Sequence, residues 1–308
     1  MRINKMNIVF KYIKSPLNII LFLESRGMLN YISDKLYLQL LYYSRLGKKL
    51  NLINPKTYNE KLQWLKLYDR NPKYTQMVDK FEVRNYVSNV IGEEYLSPLL
   101  GVWDSFDEID FEKLPHQFVL KCTHDSGGLI ICKDKQNLDL QATKLKINNC
   151  LKQNYYLHGR EWPYKNVKPR IICEKLIEQE NGSELRDYRF FCFNGEPKFI
   201  TVDFSITNKK KTRRNLYDLN WNLMDEEITY PKELITKVNK PEKFDEMIIL
   251  SKKISADFPH ARVDFYYIEG KIIFGEVTFF HQSGMGKIRP EEFNREMGEW
   301  LQLPNIKK

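Results

Sequence analysis

Two acidic residues, Asp264 and Glu276, lie in neighbouring apolar runs that a short turn joins. If residues 269–271 form the turn, the two acids face each other across a hairpin and share one of its faces. Like charges this close repel, so the pair requires a cation; oxygen ligands favour a hard divalent ion such as Mg²⁺, which nucleotide phosphates also bind. A two-residue turn would instead pair Asp264 with Gly275 and send Glu276 to the opposite face.

An arginine accompanies the acids. Arg262 lies two residues before Asp264 and therefore on the same face of its strand. A guanidinium there could neutralise a phosphoryl group in transfer or a developing oxyanion. His124 and His281 could serve as acid or base, although an isolated histidine is more often structural.

A lysine and a glycine-containing loop form a second candidate, in the stretch FVLKCTHDSGGLIICKD. Strand alternation puts Lys121 on the face of Val119, and an ammonium group there needs an anion. The loop at 123–128 can bring backbone N–H groups against phosphate oxygens. A plain hairpin whose lysine extends to solvent explains the same residues and stays open as an alternative.

The third candidate is the stretch RIICEKLI, in which Glu174 and Lys175 interrupt an apolar strand. Charges in such a position are costly unless each has a partner. The strand end could offer backbone groups to a purine edge, with Leu176 and Ile177 against its face, and Asp187 could accept hydrogen bonds from ribose hydroxyls. A surface strand with a structural ion pair is the alternative.

The elements that position these residues are strands from Gln117 onward, where short β-branched and aromatic runs alternate with tight turns. Asn194-Gly195 is a strong hairpin signal and Glu269-Gly270 a weaker one. Stretches near 140–154, 242–256 and 291–302 indicate helices, as do the residues before 115. The pattern predicts an α+β fold with antiparallel hairpins and flanking helices.

Composition favours an enzyme-sized globule: the chain has 308 residues, of which 42% are hydrophobic, and a net charge of +9. Residues 1–50 hold nine basic residues against two acidic ones, a net charge of +7. Such a surface could dock on anionic lipid or an acidic partner, or pack on the rest of the protein, and both readings stay open. The basic end lacks the aromatic motifs of RNA-binding modules, so no nucleic acid is expected.

The same sequence features predict a cytoplasmic protein, with a peripheral position at the inner face of the cell membrane as the docking alternative. The apolar stretch at 17–23 is shorter than the roughly 20 residues that span a bilayer. No signal-peptide pattern is present. Five cysteines without a CxxC pair indicate a reducing compartment.

Taken together, a strand lysine before a glycine-containing loop, ICEKLI, RVD, an acid 12 positions later and SGM follow the motif order of ATP-grasp enzymes. ICEKLI and RVD resemble the D-alanine-D-alanine ligase branch. The wider text is similar to the TupA-like ATP-grasp family of teichuronopeptide and capsule synthesis, over nearly all of residues 50–303, in NPKTYNEKLQWLKLYDRNPKY, DKFEVRNYV, LPHQFVLKCTHDSGG, DYRFFCFNGEPKFI and FGEVTFF.

The resemblance implies an ATP-grasp fold, in which two α/β subdomains with antiparallel hairpins grip ATP. A basic helical region at 1–72 would precede an ATP-grasp domain at 73–308. This domain would comprise a helical cap at 73–115, subdomain A at about 116–175 and subdomain B at about 176–308.

The resemblance also assigns roles to the nucleotide-binding candidates. Lys121 looks like the phosphate-binding lysine, and the loop with Ser126, Gly127 and Gly128 like the lid that covers the phosphates. The segment 174–177 would be the adenine hinge, formed by Glu174, Lys175, Leu176 and Ile177. Asp187 would bind the ribose.

The same comparison implies that Asp264 and Glu276 bind magnesium, with Arg262 as the phosphoryl or oxyanion stabiliser. Thr278 stands where the family often has an asparagine as a further metal ligand. Arg214 would belong to a mobile loop that closes over the γ-phosphate, and Arg189 is carried over in the same way.

The implied activity is that of an ATP- and Mg²⁺-dependent carboxylate-amine ligase acting through an acyl phosphate. It would join an amino acid or amine to a sugar acid, free or lipid-linked, in surface-polysaccharide synthesis. A kinase of a sugar or small molecule on the same fold is the main alternative. A glycosyltransferase, whose DxD motif is missing here, and a non-catalytic nucleotide-binding module are the others.

Overall fold

The computed structural model describes residues 16–125, 127–178, 185–204 and 210–305. Within them the helices are α1 (Pro16–Ser25), α2 (Asp34–Leu46), α3 (Tyr58–Tyr68), α4 (Lys73–Val78), α5 (Glu82–Val90), α6 (Leu140–Leu151), α7 (Phe244–Ser255) and α8 (Glu291–Trp300). The strands are β1 (Leu99–Trp103), β2 (Phe118–Cys122), β3 (Leu129–Cys132), β4 (Ile171–Lys175), β5 (Asp187–Phe193), β6 (Glu196–Phe204), β7 (Arg213–Asp218), β8 (Glu227–Ile228), β9 (His260–Ile268), β10 (Lys271–Thr278) and β11 (Ile288–Arg289). The predicted α+β organisation is confirmed, including the helices near 140, 242 and 291.

The first sheet is antiparallel and has the strand order β1-β4-β2-β3. Phe118, Leu120 and Cys122 of β2 pack with Ile147 of α6 in one hydrophobic core. Since side chains alternate along a strand, Lys121 lies on the opposite face, as the sequence predicts. This sheet therefore has one apolar face and one face that carries the lysine.

The second sheet is also antiparallel and has the strand order β10-β9-β5-β6-β7. The turn between β5 and β6 is the predicted Asn194-Gly195 pair, with φ angles of 50° and 80°. One face packs on α7, where the rings of Phe190 and Phe244 contact each other with centroids 5.7 Å apart. The other face carries the charged residues of β5, β6, β7 and β9.

Helix α5 connects the two sheets. Arg84 donates a hydrogen bond to Glu174 of the first sheet at 2.7 Å, and the Tyr86 hydroxyl donates to the carbonyl of Ile254 beneath the second sheet at 3.2 Å. The cores of the two sheets are separate. Lys80, in the segment before α5, interacts electrostatically with Lys121 of the first sheet and Glu276 of the second, and we call the space between these two sheet faces the cleft.

The N-terminal helices form a third cluster around Tyr37, Leu38 and Leu41 of α2. Helix α3 begins at a capping box in which Thr57 and Glu60 bond each other's backbone N–H groups. Its Leu62 joins the core of the second sheet. The predicted helices before residue 72 are confirmed, while the proposed domain boundaries stay predictions.

No helix in the described part of the chain combines the length and the apolar character that crossing a bilayer requires.

Candidate functional site

The hairpin of β9 and β10 brings Asp264 and Glu276 together by a route that differs from the expected one. Its turn has two residues, Glu269 and Gly270, with φ angles of 50° and 74°, so the three-residue turn is wrong. The ladder still pairs Glu276 with Asp264, because its register shifts by one residue at Gly275. This β-bulge restores the pairing that the shorter turn alone would have reversed.

Arg262 lies between the two carboxylates. One of its terminal nitrogens is 2.5 Å from Asp264 and 2.7 Å from Glu276, while its Nε donates a further hydrogen bond to Asp264 at 2.7 Å. Since a single nitrogen contacts both acids, their oxygens converge on one point. The predicted cluster of two acids and one arginine is therefore assembled on the cleft face.

The electrostatics of the pair favour a cation. Burial raises the pKa of the Asp264 carboxyl to about 7, although Arg262 acts to lower it. Burial also acts to raise the pKa of Glu276, but Arg262 and Lys80 outweigh it and lower that pKa. Two converging carboxylates with Glu276 half open to the cleft offer the oxygen ligands that Mg²⁺ prefers, so the residues present fit this ion.

Thr278 extends the same edge of β10. Its hydroxyl donates a hydrogen bond to Glu276 at 3.2 Å, and its backbone pairs with Arg262 across the ladder. The hydroxyl thus lies beside the predicted metal ligands. Its own role as a ligand stays a prediction.

A second layer of charges supports the first on the same face. Arg189 donates to Asp187 at 2.6 Å, contacts Asp203, and lies 3.5 Å from Asp264. Asp203 also accepts two hydrogen bonds from Arg214, at 2.6 and 2.7 Å. No role was predicted for Asp203, although an acid that interrupts the apolar strand KFITVDF was a usable signal.

Arg214 is the residue whose place was predicted wrongly. It lies in strand β7 and not in a mobile loop, and its side chain is 1% exposed. The physical reason is Asp203, the partner of Arg214 across the ladder, which neutralises a guanidinium that would otherwise need solvent. A catalytic role for Arg214 stays a prediction.

His281 is buried between two guanidinium groups. Its Nδ1 lies 2.8 Å from Arg262 and its Nε2 lies 3.1 Å from Arg214. Burial lowers the pKa of His281 far below its usual value, and the two arginines lower it further. The ring is therefore neutral and connects the arginines of β7 and β9. His124, the other candidate, lies with Nε2 3.1 Å from the carbonyl of Cys150.

On the opposite wall, Lys121 forms an ion pair with Glu174. The Lys121 Nζ donates to Glu174 at 2.5 Å, and Arg84 donates to the other oxygen of the same carboxylate at 2.7 Å. The Glu174 side chain therefore holds the lysine in place. Arg84 was not predicted, and its position in an otherwise ordinary helix gave no signal.

The rest of the predicted hinge continues from β4. Lys175 is exposed and ends the strand, its N–H bonded to the carbonyl of Pro98 at 3.0 Å. Leu176 and Ile177 follow as half-buried residues outside regular structure. Their backbone groups and apolar side chains would contact a purine, and this role stays a prediction.

The glycine loop lies beside Lys80, a residue for which no role was predicted. Lys80 donates a hydrogen bond to the carbonyl of Asp125, and burial lowers its pKa while Glu276 acts to raise it. Lys80 thus lies between the loop and the acids of the second sheet. Lys80 lies in the stretch DKFEVRNYV, which was the available sequence signal. Gly127 is exposed and Gly128 buried, whereas Ser126 lies outside the described residues.

Helix α3 fixes the segment that follows the metal-binding candidates. Gln63 donates to the carbonyls of Ser283 and Gly284 at 3.0 and 2.8 Å, and the buried Lys66 donates to the Ser283 carbonyl and hydroxyl at 2.8 Å. Ser283 has a φ angle of 53°, a strained value for a residue with a side chain. The available signal was the set of polar residues at 59, 63 and 66 of an amphipathic helix.

Two antiparallel sheets face each other across the cleft. One wall carries acids and an arginine, the other carries Lys121 beside the glycine loop, and Lys80 lies between them. This arrangement is that of an ATP-grasp fold. The model of the family described as TupA-like ATPgrasp matches residues 60–302. The chain therefore belongs to the TupA-like ATP-grasp family. No curated protein matches it.

Solved structures of ligases are similar at low identity. The D-alanine-D-alanine ligase of Bacillus anthracis is 14% identical, with a TM-score of 0.38, over 66% of this chain and 57% of that one. The Helicobacter pylori enzyme is also 14% identical, with a TM-score of 0.41, over 80% and 69%. The ATP-grasp ligase PsnB, complexed with a precursor variant, Mg and ADP, is 9% identical, with a TM-score of 0.41, over 78% and 62%. The chain thus spans less than two thirds of the Bacillus enzyme's length.

Proposed function

We propose that the protein is an ATP- and Mg²⁺-dependent ligase that joins a carboxylate to an amine through an acyl phosphate. The observation that carries the proposal is the convergence of Asp264 and Glu276 on Arg262, across the cleft from Lys121. Lys80 lies between the two walls. Acids for a metal and cations for phosphates thus face one space, which is the arrangement that phosphoryl transfer needs.

The nucleotide would lie between the sheets. Lys121 and Lys80 would bind phosphate oxygens, together with the N–H groups of Gly127 and Gly128. The segment Lys175 to Ile177 would contact the adenine, and Asp187 the ribose. An ammonium group has three N–H donors, so Lys121 would bind phosphate while Glu174 still holds it in place. The Gly128 N–H, which donates to Asp125 at 3.1 Å, would change partner.

Asp264 and Glu276 would hold the metal ion, with the Thr278 hydroxyl beside them. When bound, Mg²⁺ would neutralise charge on the transferring phosphoryl group. Arg262 contacts both acids through one terminal nitrogen, and its second terminal nitrogen lies 2.8 Å from His281. Together these contacts hold the guanidinium on the cleft face. We infer that this guanidinium stabilises the phosphoryl group or the oxyanion that develops later.

The two chemical steps need no nucleophilic side chain. An oxygen of the substrate carboxylate forms a bond to the γ-phosphorus while the bond to ADP breaks, which gives an acyl phosphate. The amine nitrogen then attacks the acyl carbon, phosphate leaves, and the amine proton passes to solvent. Positioning and neutralisation of charge supply the catalysis.

The substrates we propose are an amino acid or amine and a sugar acid, free or lipid-linked, in surface-polysaccharide synthesis. This assignment rests on the family. The test is mass analysis of products from ATP, a panel of amines and a panel of uronic acids. An amide together with ADP and phosphate is the expected result, whereas a phosphoester with ADP would identify a kinase and a new glycosidic bond a glycosyltransferase.

For the N-terminal region we propose docking of a cytoplasmic protein on an anionic membrane surface. Tyr31 and Ile53 are 95% and 99% exposed, and Met28 is also exposed, beside the basic residues Arg26 and Lys49. Apolar side chains next to cations match the chemistry of an anionic bilayer surface. We expect the protein to co-sediment with anionic liposomes but not with neutral ones. Sedimentation with neither would contradict membrane docking.

A further inference from the structure

Three potential metal ligands meet beneath the glycine loop. Cys122 ends β2, Asp125 lies in the loop, and Cys150 lies in the last turn of α6. Their sulfur and carboxylate oxygen atoms all lie within 4.8 Å of one another, and all three residues are buried. Cys122 and Asp125 are only three residues apart, whereas the tertiary fold brings Cys150 to them from another part of the chain.

The acid of this cluster lacks a close cationic partner. One Asp125 oxygen accepts the N–H of Gly128 at 3.1 Å. Within the described ranges no lysine or arginine nitrogen comes within 4.0 Å of the carboxylate, and Lys80 bonds the backbone carbonyl of Asp125 instead. Lys80 acts on the carboxylate only from beyond ion-pair distance, and the Cys150 thiol hydrogen-bonds it. A buried carboxylate without a directly paired cation favours a bound positive charge.

Gly128 gives the two sulfur atoms their space. A Cβ atom at this position would lie 2.8 Å from the Cys122 sulfur and 3.0 Å from the Cys150 sulfur. The loop can therefore lie against both thiols only because residue 128 has no side chain. Cys192 differs, because its thiol lies 3.8 Å from the carbonyl of Phe190 and 3.9 Å from that of Ser251.

We propose that Cys122, Asp125 and Cys150 bind a thiophilic divalent cation, with Zn²⁺ as the natural occupant. Zn²⁺ takes cysteine and carboxylate ligands in tetrahedral geometry, and three protein ligands leave one position for water. Mg²⁺ prefers oxygen ligands and does not compete for the sulfur atoms. This site is separate from the acids of the second sheet and does not depend on the proposed ligase activity.

Binding has a defined proton balance. Burial, with a smaller contribution from Asp125, raises the pKa of the Cys150 thiol to about 11; burial also raises the pKa of Cys122. Both thiols are therefore protonated at neutral pH without metal. When each sulfur forms its bond to the ion, two protons per ion pass to solvent, while Asp125 binds as the anion.

The ion would tie together the end of β2, the glycine loop and the end of α6. Lys121 directly precedes Cys122, so the metal would fix the loop next to the predicted phosphate-binding lysine. A structural ion of this kind raises the melting temperature, because the unfolded chain lacks the assembled site.

The test is a titration of the reduced full-length protein with Cd²⁺, a spectroscopic substitute for Zn²⁺, in excess Mg²⁺. We expect one ion per chain, thiolate-to-metal charge-transfer absorption in the ultraviolet, and release of two protons, measured by calorimetry in buffers of different ionisation enthalpy. If the wild-type protein shows no charge-transfer absorption at saturating Cd²⁺, that result alone overturns the proposal.

Variants then locate the site. Cys150→Ser should weaken Cd²⁺ binding by more than about 100-fold, and Asp125→Asn should weaken it as well. Cys192→Ser is the matched control, since it also removes a buried thiol, and should bind like wild type. Full binding by a folded Cys150→Ser protein, checked by circular dichroism, would contradict the assignment, as would equal loss in the control.

Discussion

The two walls of the cleft hold their charges in different ways. On the second sheet, Arg189, Arg214 and Arg262 are enclosed by acids and by His281, and each contacts at least two partners. On the first sheet, Lys121 has one acidic partner and remains 29% exposed. The second wall is therefore a preorganised platform, whereas the first wall can rearrange when a ligand arrives. Stability and metal binding should depend on the second sheet, and nucleotide affinity on the first.

The largest effect is expected from Asp203→Asn in the second sheet. The substitution leaves Arg189 and Arg214 buried with less compensation, which costs about 3–5 kcal/mol of unfolding free energy. Chemical denaturation followed by circular dichroism measures it. Asp225→Asn is the control, because Asp225 forms only a surface ion pair with Lys232 and should change nothing measurable. A stable Asp203→Asn protein would mean that the platform does not need this acid.

Asp264→Asn tests the chemistry of the same wall. Loss of one anionic ligand should lower the rate of ADP formation, measured with the substrates that the product assay selects, by about 10²–10³-fold. Glu269→Gln in the turn of the same hairpin should keep the wild-type rate, since this residue is exposed and outside the cleft face. Wild-type rates for Asp264→Asn would remove that residue from the metal site.

A pH effect separates the platform from the rest of the molecule. Burial lowers the pKa of His260 in the folded protein to about 3 from 6.5, with Tyr58 at 3.0 Å from its Nε2. Below about pH 6.5 the unfolded chain binds a proton that the folded one refuses, so stability falls by up to about 1.4 kcal/mol per pH unit.

The measurement compares unfolding free energies at pH 7 and pH 5. His260→Gln should reduce the difference between them, whereas His116→Gln, at an exposed position just before β2, should retain it. An unchanged difference in His260→Gln would assign the acid sensitivity to other groups.

The smallest effect is expected on the first wall. Glu174→Gln frees Lys121 and Arg84 from a carboxylate and should raise the dissociation constant for ATP by about tenfold, because the lysine loses its fixed position. Calorimetric titration with ATP measures this, with Glu178→Gln, an exposed residue in an ion pair with Lys133, as the control. An unchanged dissociation constant for ATP in Glu174→Gln would contradict the proposed dependence of nucleotide affinity on the first wall.

The sequence sufficed where a local rule determined the structure. Asn194-Gly195 forms its hairpin because both residues tolerate positive φ, and alternation places Lys121 correctly on its strand. The pairing of Asp264 with Glu276 was predicted from a three-residue turn. The structure has a two-residue turn and a β-bulge at Gly275, and the two together give the same pairing.

The sequence failed where a residue's role depends on a distant partner. Arg214 belongs to a basic run that is typical of a solvated loop, and only Asp203 on the neighbouring strand explains its burial. Lys66 binds Ser283, which lies more than 200 residues further along the chain. Neither local propensity nor charge patterning contains such pairings.

The most direct test of the central claim is calorimetric binding of ATP with and without Mg²⁺ to wild type and to Glu276→Gln. If Glu276 and Asp264 hold the ion that the phosphates share, Mg²⁺ strengthens ATP binding in wild type and in Glu269→Gln but has little effect in Glu276→Gln. An equal Mg²⁺ effect in Glu276→Gln, with the fold intact, would contradict the account.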